Sequence, residues 1–165
     1  MKKIIIGVMG SGNEATSNDI KNAFVIGKLI AKNKFVLLTG GRNVGVMDAA
    51  SKGAKQENGL TIGILPTTDK NSISKYVDVP IITDMGSARN NINALSSDVV
   101  VAVGIGAGTA SEIALALKAQ KDVVLLNSNK KTQTFFANIG KNKINIAKNP
   151  EIAMKIIKKV IGDQH

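Results

Sequence analysis

The chain has 165 residues, a formal net charge of +10, no cysteine, and a single histidine, His165, as its last residue. This composition excludes disulfides, thiolate nucleophiles and zinc sites built on sulfur, and it leaves almost no scope for histidine-based acid–base chemistry. We therefore expect no metal site, and any chemistry must rest on carboxylates, hydroxyls, lysines and backbone amides. The length suits one domain that buries its own core.

The first half of the chain alternates short apolar runs with segments of helical period. A strand over residues 3–8 is followed by a helix with Ser17 as its N-cap and Asp19 in its first turn. Residues 35–38 and 60–65 are the next two predicted strands, and a helix with one apolar face lies between them. This order is typical of parallel strands joined by crossover helices.

The second half continues the alternation after a polar stretch, residues 67–80, that lacks any period and predicts a surface excursion. A short strand over 81–83 and a helix that begins near Arg89 precede an apolar strand over 98–103, typical of the centre of a parallel sheet. The remaining predicted elements are a helix over 109–119, strands over 122–126 and 144–146, and a final helix that opens at Asn149-Pro150. Together these elements predict one doubly wound α/β domain over residues 1–165, with a mainly parallel sheet and helices on both faces.

Three loops that follow predicted strands are rich in glycine, and they are expected at the carboxyl edge of the sheet, where such folds bind ligands. A single glycine loop is as readily explained by a tight turn between strand and helix. Three loops at one edge favour a phosphate-bearing ligand, because glycine lets backbone N–H groups and helix N-termini approach an anion. The candidate phosphate-binding or nucleotide-binding residues are Gly10, Ser11, Gly40, Gly41, Arg42, Gly45, Gly106, Gly108 and Thr109.

Two sequence patterns constrain the kind of phosphate ligand. Residues 10–15 fit the loose dinucleotide pattern G-x-G-x-x-A, but the second predicted strand ends in Thr39-Gly40-Gly41, without the carboxylate that would hold the ribose hydroxyls. No glycine loop runs into Gly-Lys-Ser or Gly-Lys-Thr, so the P-loop pattern is also missing. These observations count against NAD and against a P-loop nucleotide site.

Only two of the 22 basic residues are arginines, Arg42 and Arg89. Arg89 is expected at a helix start and Glu112 one turn into the helix after the third glycine loop, so both belong to the same sheet edge. The planar guanidinium suits phosphate or carboxylate recognition, and Glu112 is the carboxylate that could act with it. A second interpretation stays open, in which Thr109 is the N-cap and Glu112 is only the capping-box carboxylate of that helix.

Most of the positive charge is lysine, which we interpret as solvated helix faces, Lys52 and Lys55 among them. A nucleic-acid partner is not favoured, because the chain has only four Phe and one Tyr to stack on bases. No apolar run approaches the ~20 residues that a membrane helix needs, and the short run after residues 1–3 does not resemble a signal peptide. We expect a cytoplasmic protein without membrane association.

The motifs at the sheet edge resemble those of the LONELY GUY (LOG) group of nucleotide-binding proteins, in particular its shorter branch, which includes the molybdenum cofactor carrier proteins. The resemblance is carried by GGRNVGVM over residues 40–47, by Arg89, and by GAGTASE over residues 106–112. It extends from the first strand to about Asn127. The resemblance implies a Rossmann-like homodimer or homotetramer that binds a nucleoside monophosphate or a related phosphate-bearing ligand.

LOG enzymes hydrolyse the N-glycosidic bond of nucleoside monophosphates, and the matching positions imply Arg89 and Glu112 as the catalytic pair. This chain departs from those enzymes in two places: it lacks their Pro-Gly pair before Gly106, and it has Asn90 where they have lysine. Three functions therefore stay open: a phosphoribohydrolase, a non-catalytic carrier of a nucleotide or the molybdenum cofactor, and a nucleic-acid-associated protein. No cofactor is required for the hydrolysis, and a nucleotide or a molybdopterin-type ligand is the expected bound group.

Overall fold

The computed structural model describes residues 3–162, so His165 lies outside the described residues. The strands, in chain order, are β1 (Ile5–Gly10), β2 (Val36–Thr39), β3 (Thr61–Leu65), β4 (Val79–Ile82), β5 (Val99–Val103), β6 (Asp122–Leu126) and β7 (Ile144–Ala147). The helices are α1 (Ser17–Lys32), α2 (Gly45–Gln56), α3 (Arg89–Ser96), α4 (Ala107–Lys118), α5 (Lys130–Gly140) and α6 (Pro150–Gly162).

The strands form one parallel sheet in the order β4-β3-β2-β1-β5-β6-β7. The chain moves outward from β1 to β4 and then returns to the other side of β1 with β5. This reversal is a topological switch point, and open α/β sheets bind ligands there, outside the carboxyl ends of the strands. The predicted doubly wound α/β fold is confirmed, and it is Rossmann-like.

Strand β5 shows why the central strands are apolar throughout. Val99, Val101 and Val103 face a core shared with α1, α2 and α6, whereas Val100 and Ala102 face a second core shared with α3, α4 and α5. Burial of apolar surface on both faces of the sheet is the main stabilising contribution in such a fold. The loops at the carboxyl edge are therefore attached to a rigid base.

The cap of α1 lies one residue earlier than predicted. Thr16, and not Ser17, is the N-cap: its Oγ1 accepts the N–H of Asp19 at 3.1 Å, and the Asp19 carboxylate accepts the N–H of Thr16 at 3.0 Å. This reciprocal capping box satisfies two N–H groups at once. Asp19 lies in the first turn, as predicted.

The polar stretch after β3 is shorter than predicted, because β4 begins at Val79 and pairs with β3 from that residue onward. The expected strand over 81–83 is therefore displaced toward the N-terminus.

Lys55 differs from the prediction that it belongs to a solvated helix face. The Nζ of Lys55 forms an ion pair with Asp78 Oδ1 at 2.7 Å, whereas Lys52 is exposed.

The sequence analysis did not predict helix α5. Asn129 caps this helix by accepting the N–H of Thr132 at 2.9 Å, but Phe136 and Gly140 are its only buried residues. Because Phe136 is the one large side chain that α5 buries, the sequence of this helix shows little apolar periodicity.

Candidate ligand-binding site

A cavity of about 390 Å³ opens at the switch point, where the loops after β1, β2 and β5 meet. This volume lies within the usual range of small-molecule sites. The structure brings nine of the eleven predicted site residues to the cavity wall. They are Gly10, Ser11, Gly40, Arg42, Arg89, Gly106, Gly108, Thr109 and Glu112.

Gly41 and Gly45 do not line the cavity. Both have a positive φ, +73° and +57°, a conformation that favours glycine. A Cβ at Gly41 would lie 2.9 Å from the Cα of Gly63, and a Cβ at Gly45 would overlap the carbonyl oxygen of Gly12. These two glycines therefore shape the loop after β2 and let it pack against its neighbours.

The excursion after β3 holds the loop that carries Arg42. An isolated antiparallel bridge joins Arg42 to Ile73, and the N–H of Asn43 donates to the carbonyl of Ser72 at 2.8 Å. The stretch predicted as a surface excursion thus fixes the backbone on either side of a cavity arginine.

The third glycine loop ends in the N-terminus of α4. Gly106 is the N-cap, and no side chain caps the helix. The prediction of Thr109 as the N-cap is wrong, because Thr109 already lies in the first turn and is buried. The first N–H groups of a helix have no intrahelical acceptor. Because Gly106 and Gly108 place no side chain over them, an anion in the cavity would be a suitable acceptor.

Arg89 begins helix α3 and lines the cavity. It is 9% exposed, and its Nε and Nη1 atoms are buried without a hydrogen-bond partner among residues 3–162. The guanidinium packs so closely on Gly40 that an added Cβ there would overlap it. Burial lowers the pKa of Arg89, the charge of Glu112 opposes this shift, and the charge of Arg42 adds to it. A buried cation with unpaired N–H groups is destabilising, and an anionic ligand would relieve that cost.

Glu112 lies beyond the first turn of α4 and is 6% exposed, so the capping-box interpretation is wrong. Its Oε1 instead accepts the Nδ2–H of Asn93 at 2.7 Å. Burial raises the pKa of Glu112, while the hydrogen bond from Asn93 and the charge of Arg89 lower it. In the described part of the chain, Glu112 and Arg89 form no direct ion pair. Each can therefore bind a ligand directly.

Two asparagines of α3 and residues 12–14 of the first glycine loop were not among the site residues predicted from the sequence. Asn90 lines the cavity and donates its Nδ2–H to Ser111 Oγ at 2.8 Å, whereas Asn93 is fully buried. A signal was available for both, because each lies on the inward face of a helix. Polar residues there are uncommon unless they are hydrogen-bonded.

The charged residues that line the cavity are Glu14, Arg42, Arg89 and Glu112. Within residues 3–162, no group of three or more His, Asp or Glu side chains is placed to hold a metal ion. None of the helices described in that range combines the length and apolar character needed to cross a bilayer.

The fold and the cavity define a Rossmann-like α/β protein with a glycine-rich crevice, an uncapped helix N-terminus and a buried, unpaired arginine at its switch point. The profile of the SLOG cluster4 family matches residues 3–154, and the chain belongs to this family. An uncharacterized protein of Archaeoglobus fulgidus is 47% identical over 126 residues, which cover 76% of this chain and 82% of that protein.

Two solved structures are similar over nearly the whole chain. The molybdenum cofactor binding protein from the phototrophic bacterium Rippkaea orientalis has 57% identity and a TM-score of 0.95, with 98% of this chain and 99% of that chain covered. The molybdenum cofactor carrier protein from Chlamydomonas reinhardtii has 48% identity and a TM-score of 0.94, with the same 98% and 99% coverage. The predicted resemblance to the group that includes the molybdenum cofactor carrier proteins is confirmed.

Proposed function

We propose that this chain is a non-catalytic carrier that binds the molybdenum cofactor, or a similar phosphate-bearing ligand, at the carboxyl edge of its sheet. The observation that carries the proposal is Arg89, whose buried Nε and Nη1 atoms have no protein partner although the residue lines the cavity. The descriptions of the two solved relatives as cofactor binding and carrier proteins support the same function.

The groups at the cavity suit such a ligand. The first N–H groups of α4, with Ser11 Oγ close to Gly106, could hold a phosphate. Arg42 and Arg89 could bind further anionic oxygens through their planar donor groups. The molybdenum cofactor brings its metal already bound by its own sulfur atoms. The protein's part is therefore to hold the anionic groups.

A second candidate function is hydrolysis of the N-glycosidic bond of a nucleoside monophosphate, favoured by the presence of Arg89 and Glu112 at one cavity. Glu112 would stabilise an oxocarbenium-like ribosyl centre or orient a water molecule, and Arg89 would hold the ligand. The missing Pro-Gly pair before Gly106, the Asn90 side chain and the descriptions of the relatives favour the carrier.

The carrier is tested by mixing purified protein with molybdenum cofactor released from a molybdoenzyme. We expect molybdenum, measured by mass spectrometry, to elute with the protein in gel filtration. A parallel incubation with AMP is expected to leave the nucleotide intact. Release of free adenine would favour the hydrolase, and protein that retains no molybdenum would contradict the carrier.

A homodimer or homotetramer is also proposed. The edge strand β4 exposes Val79, Ile81 and Ile82 at 41–44%, and Leu95 of α3 is 51% exposed. Exposed apolar side chains on an edge strand favour pairing with another chain. Helix α4 exposes no large apolar side chain, because its exposed apolar residues are Ala107 and Ala114. Light scattering should give at least twice the chain mass, and a monomer mass would contradict the proposal.

A further inference from the structure

Asn93 is a buried amide that the fold by itself does not explain. Its Nδ2 donates to Glu112 Oε1 at 2.7 Å, but its Oδ1 has no hydrogen-bond partner. A fully buried amide oxygen without a donor is destabilising, so an apolar residue would serve the packing of α3 better. The hydrogen bond to Glu112 is the one contact that distinguishes this asparagine from an apolar side chain.

The position of Asn93 decides which oxygen of Glu112 meets a ligand. Glu112 lines the cavity, whereas Asn93 does not. Oε1 is therefore bound by a residue that lies outside the cavity lining. Oε2 has no hydrogen-bond partner in the described part of the chain and remains as the acceptor for a bound molecule.

We propose that Asn93 is a positioning residue that holds the Glu112 carboxylate as a hydrogen-bond acceptor for the ligand. Through this acceptor the site selects phosphate monoesters whose organic part carries O–H or N–H donors. The inference rests on the proposed binding of a phosphate-bearing ligand in this cavity. It adds that the phosphate alone does not determine which ligand binds.

The charges around the cavity explain why a donor on the ligand matters. The other charged residues that line the cavity are Arg89, Arg42 and Glu14, and among the described residues none of them forms an ion pair with the Glu112 carboxylate. An ionised Glu112 repels a phosphate, and a ligand without a donor leaves Oε2 of this buried carboxylate without a hydrogen bond. A site built to hydrogen-bond a ligand group rejects analogues that lack it by large factors.

The neighbouring asparagine, Asn90, makes a different contact. The Nδ2 of Asn90 is already bound to Ser111 Oγ at 2.8 Å, and that hydroxyl donates to the carbonyl of Gly108 at 2.7 Å. Asn90 therefore ties α3 to the first turn of α4. Asn93 acts on Glu112 one turn farther along α3.

The test compares two phosphate monoesters by titration calorimetry: ribose 5-phosphate, which carries hydroxyl donors, and methyl phosphate, which carries none. We expect the wild type to bind ribose 5-phosphate roughly 10-fold more tightly or better, the size expected for a hydrogen bond to a charged group. The Glu112→Gln variant should lose most of this preference. Its neutral amide is a weaker acceptor for ribose 5-phosphate, and it does not repel methyl phosphate.

The Asn93→Leu variant separates positioning from a purely structural role. Leucine has the same number and branching of side-chain heavy atoms, and it removes both the donor to Glu112 and the unpartnered oxygen. We expect a folded protein that loses much of the preference. Because the hydrogen bond from Asn93 lowers the pKa of Glu112, the preference should also disappear at a higher pH than in the wild type as the solution is acidified. The control Asn91→Leu, on the exposed side of the same helix, should change neither result.

The outcomes distinguish this inference from the proposed function. An unchanged preference in Glu112→Gln would overturn the inference while leaving the phosphate site intact. An unchanged preference and pH profile in a folded Asn93→Leu would also overturn it. A wild type that binds neither probe would overturn both the inference and the phosphate site. If Asn93→Leu does not fold, the Glu112→Gln titration decides whether the Glu112 carboxylate selects the ligand.

Discussion

Two charged clusters, one around Asp78 at the start of β3 and one of Arg89 and Glu112 at the cavity, differ in how fully their hydrogen bonds are satisfied. Asp78 accepts Lys55 Nζ at 2.7 Å and both the N–H and the hydroxyl of Thr61 at 3.0 Å. Burial acts to raise the pKa of Asp78, but the bonds from Lys55 and Thr61 outweigh it and lower the pKa. Arg89 and Glu112 are more deeply buried, and burial shifts both of their pKa values toward the neutral forms.

This difference separates a structural cluster from a candidate binding site. The Asp78 cluster joins α2 to the start of β3, and both of its carboxylate oxygens accept hydrogen bonds from the protein. At the cavity, Arg89 has two unpartnered nitrogen atoms and Glu112 retains one oxygen for a ligand. Unsatisfied buried charge is destabilising in the free protein, and this is why it indicates a ligand.

The largest expected effect is at Arg89. Substitution Arg89→Met removes the unpaired charge and keeps much of the side-chain volume, so we expect ribose 5-phosphate and molybdenum cofactor to bind roughly 100-fold more weakly. The melting temperature should stay the same or rise, because an apolar side chain replaces a buried unpaired cation. Calorimetry and thermal unfolding measure the two effects, with Lys118→Met at the exposed end of α4 as the control. A strongly lowered melting temperature with unchanged binding would make Arg89 a structural residue.

The second prediction concerns the packing that holds the guanidinium. In Gly40→Ala the new Cβ would overlap Arg89, which must shift, and we expect roughly 10-fold weaker binding of ribose 5-phosphate. The control Gly162→Ala adds a Cβ with nothing within 4 Å and should bind like the wild type. Wild-type affinity in Gly40→Ala would mean that the position of Arg89 is not critical.

The Asp78 cluster should respond in the opposite way. We expect Asp78→Ala to lower the free energy of unfolding by about 1–2 kcal/mol and to leave ligand binding unchanged. Because the pKa of Asp78 is below its ordinary value of 3.8 in the folded state, the stabilisation is complete above that pH. It is lost as the pH falls through the lowered pKa. Urea unfolding at neutral and acidic pH measures this stabilisation. Weaker ligand binding in Asp78→Ala would contradict the purely structural role of the cluster.

The smallest expected effect is on the stability of Glu112→Gln. The pKa of Glu112 is raised by burial, so the ionised carboxylate destabilises the folded protein above that raised pKa. The penalty disappears as the pH falls toward the ordinary value of 4.5. We expect the variant to be more stable by about 1 kcal/mol or less at neutral pH, with no advantage near pH 4.5. Thermal unfolding across this range measures the difference, and a less stable variant at neutral pH would show that Glu112 is already satisfied in the protein.

The class of fold and the region of the site were predictable because their signals are local. Alternating apolar runs and helical periods indicated the parallel sheet, and three glycine loops indicated its carboxyl edge. The strong signals came from strands buried on both faces, such as β5. Helix α5, which buries only Phe136 and Gly140, left too weak a pattern.

The sequence by itself thus determined an α/β fold, a glycine-rich carboxyl edge, and the two residues, Arg89 and Glu112, that lie at its cavity. Only the tertiary structure decided that Gly41 and Gly45 serve loop packing, and that Glu112 is held by Asn93 rather than used as a helix cap. The physical reason is the separation along the chain between the residues that interact. Periodicity and turn preference depend on neighbouring residues, whereas burial and hydrogen bonds between α3 and α4 exist only once the helices have packed on the sheet.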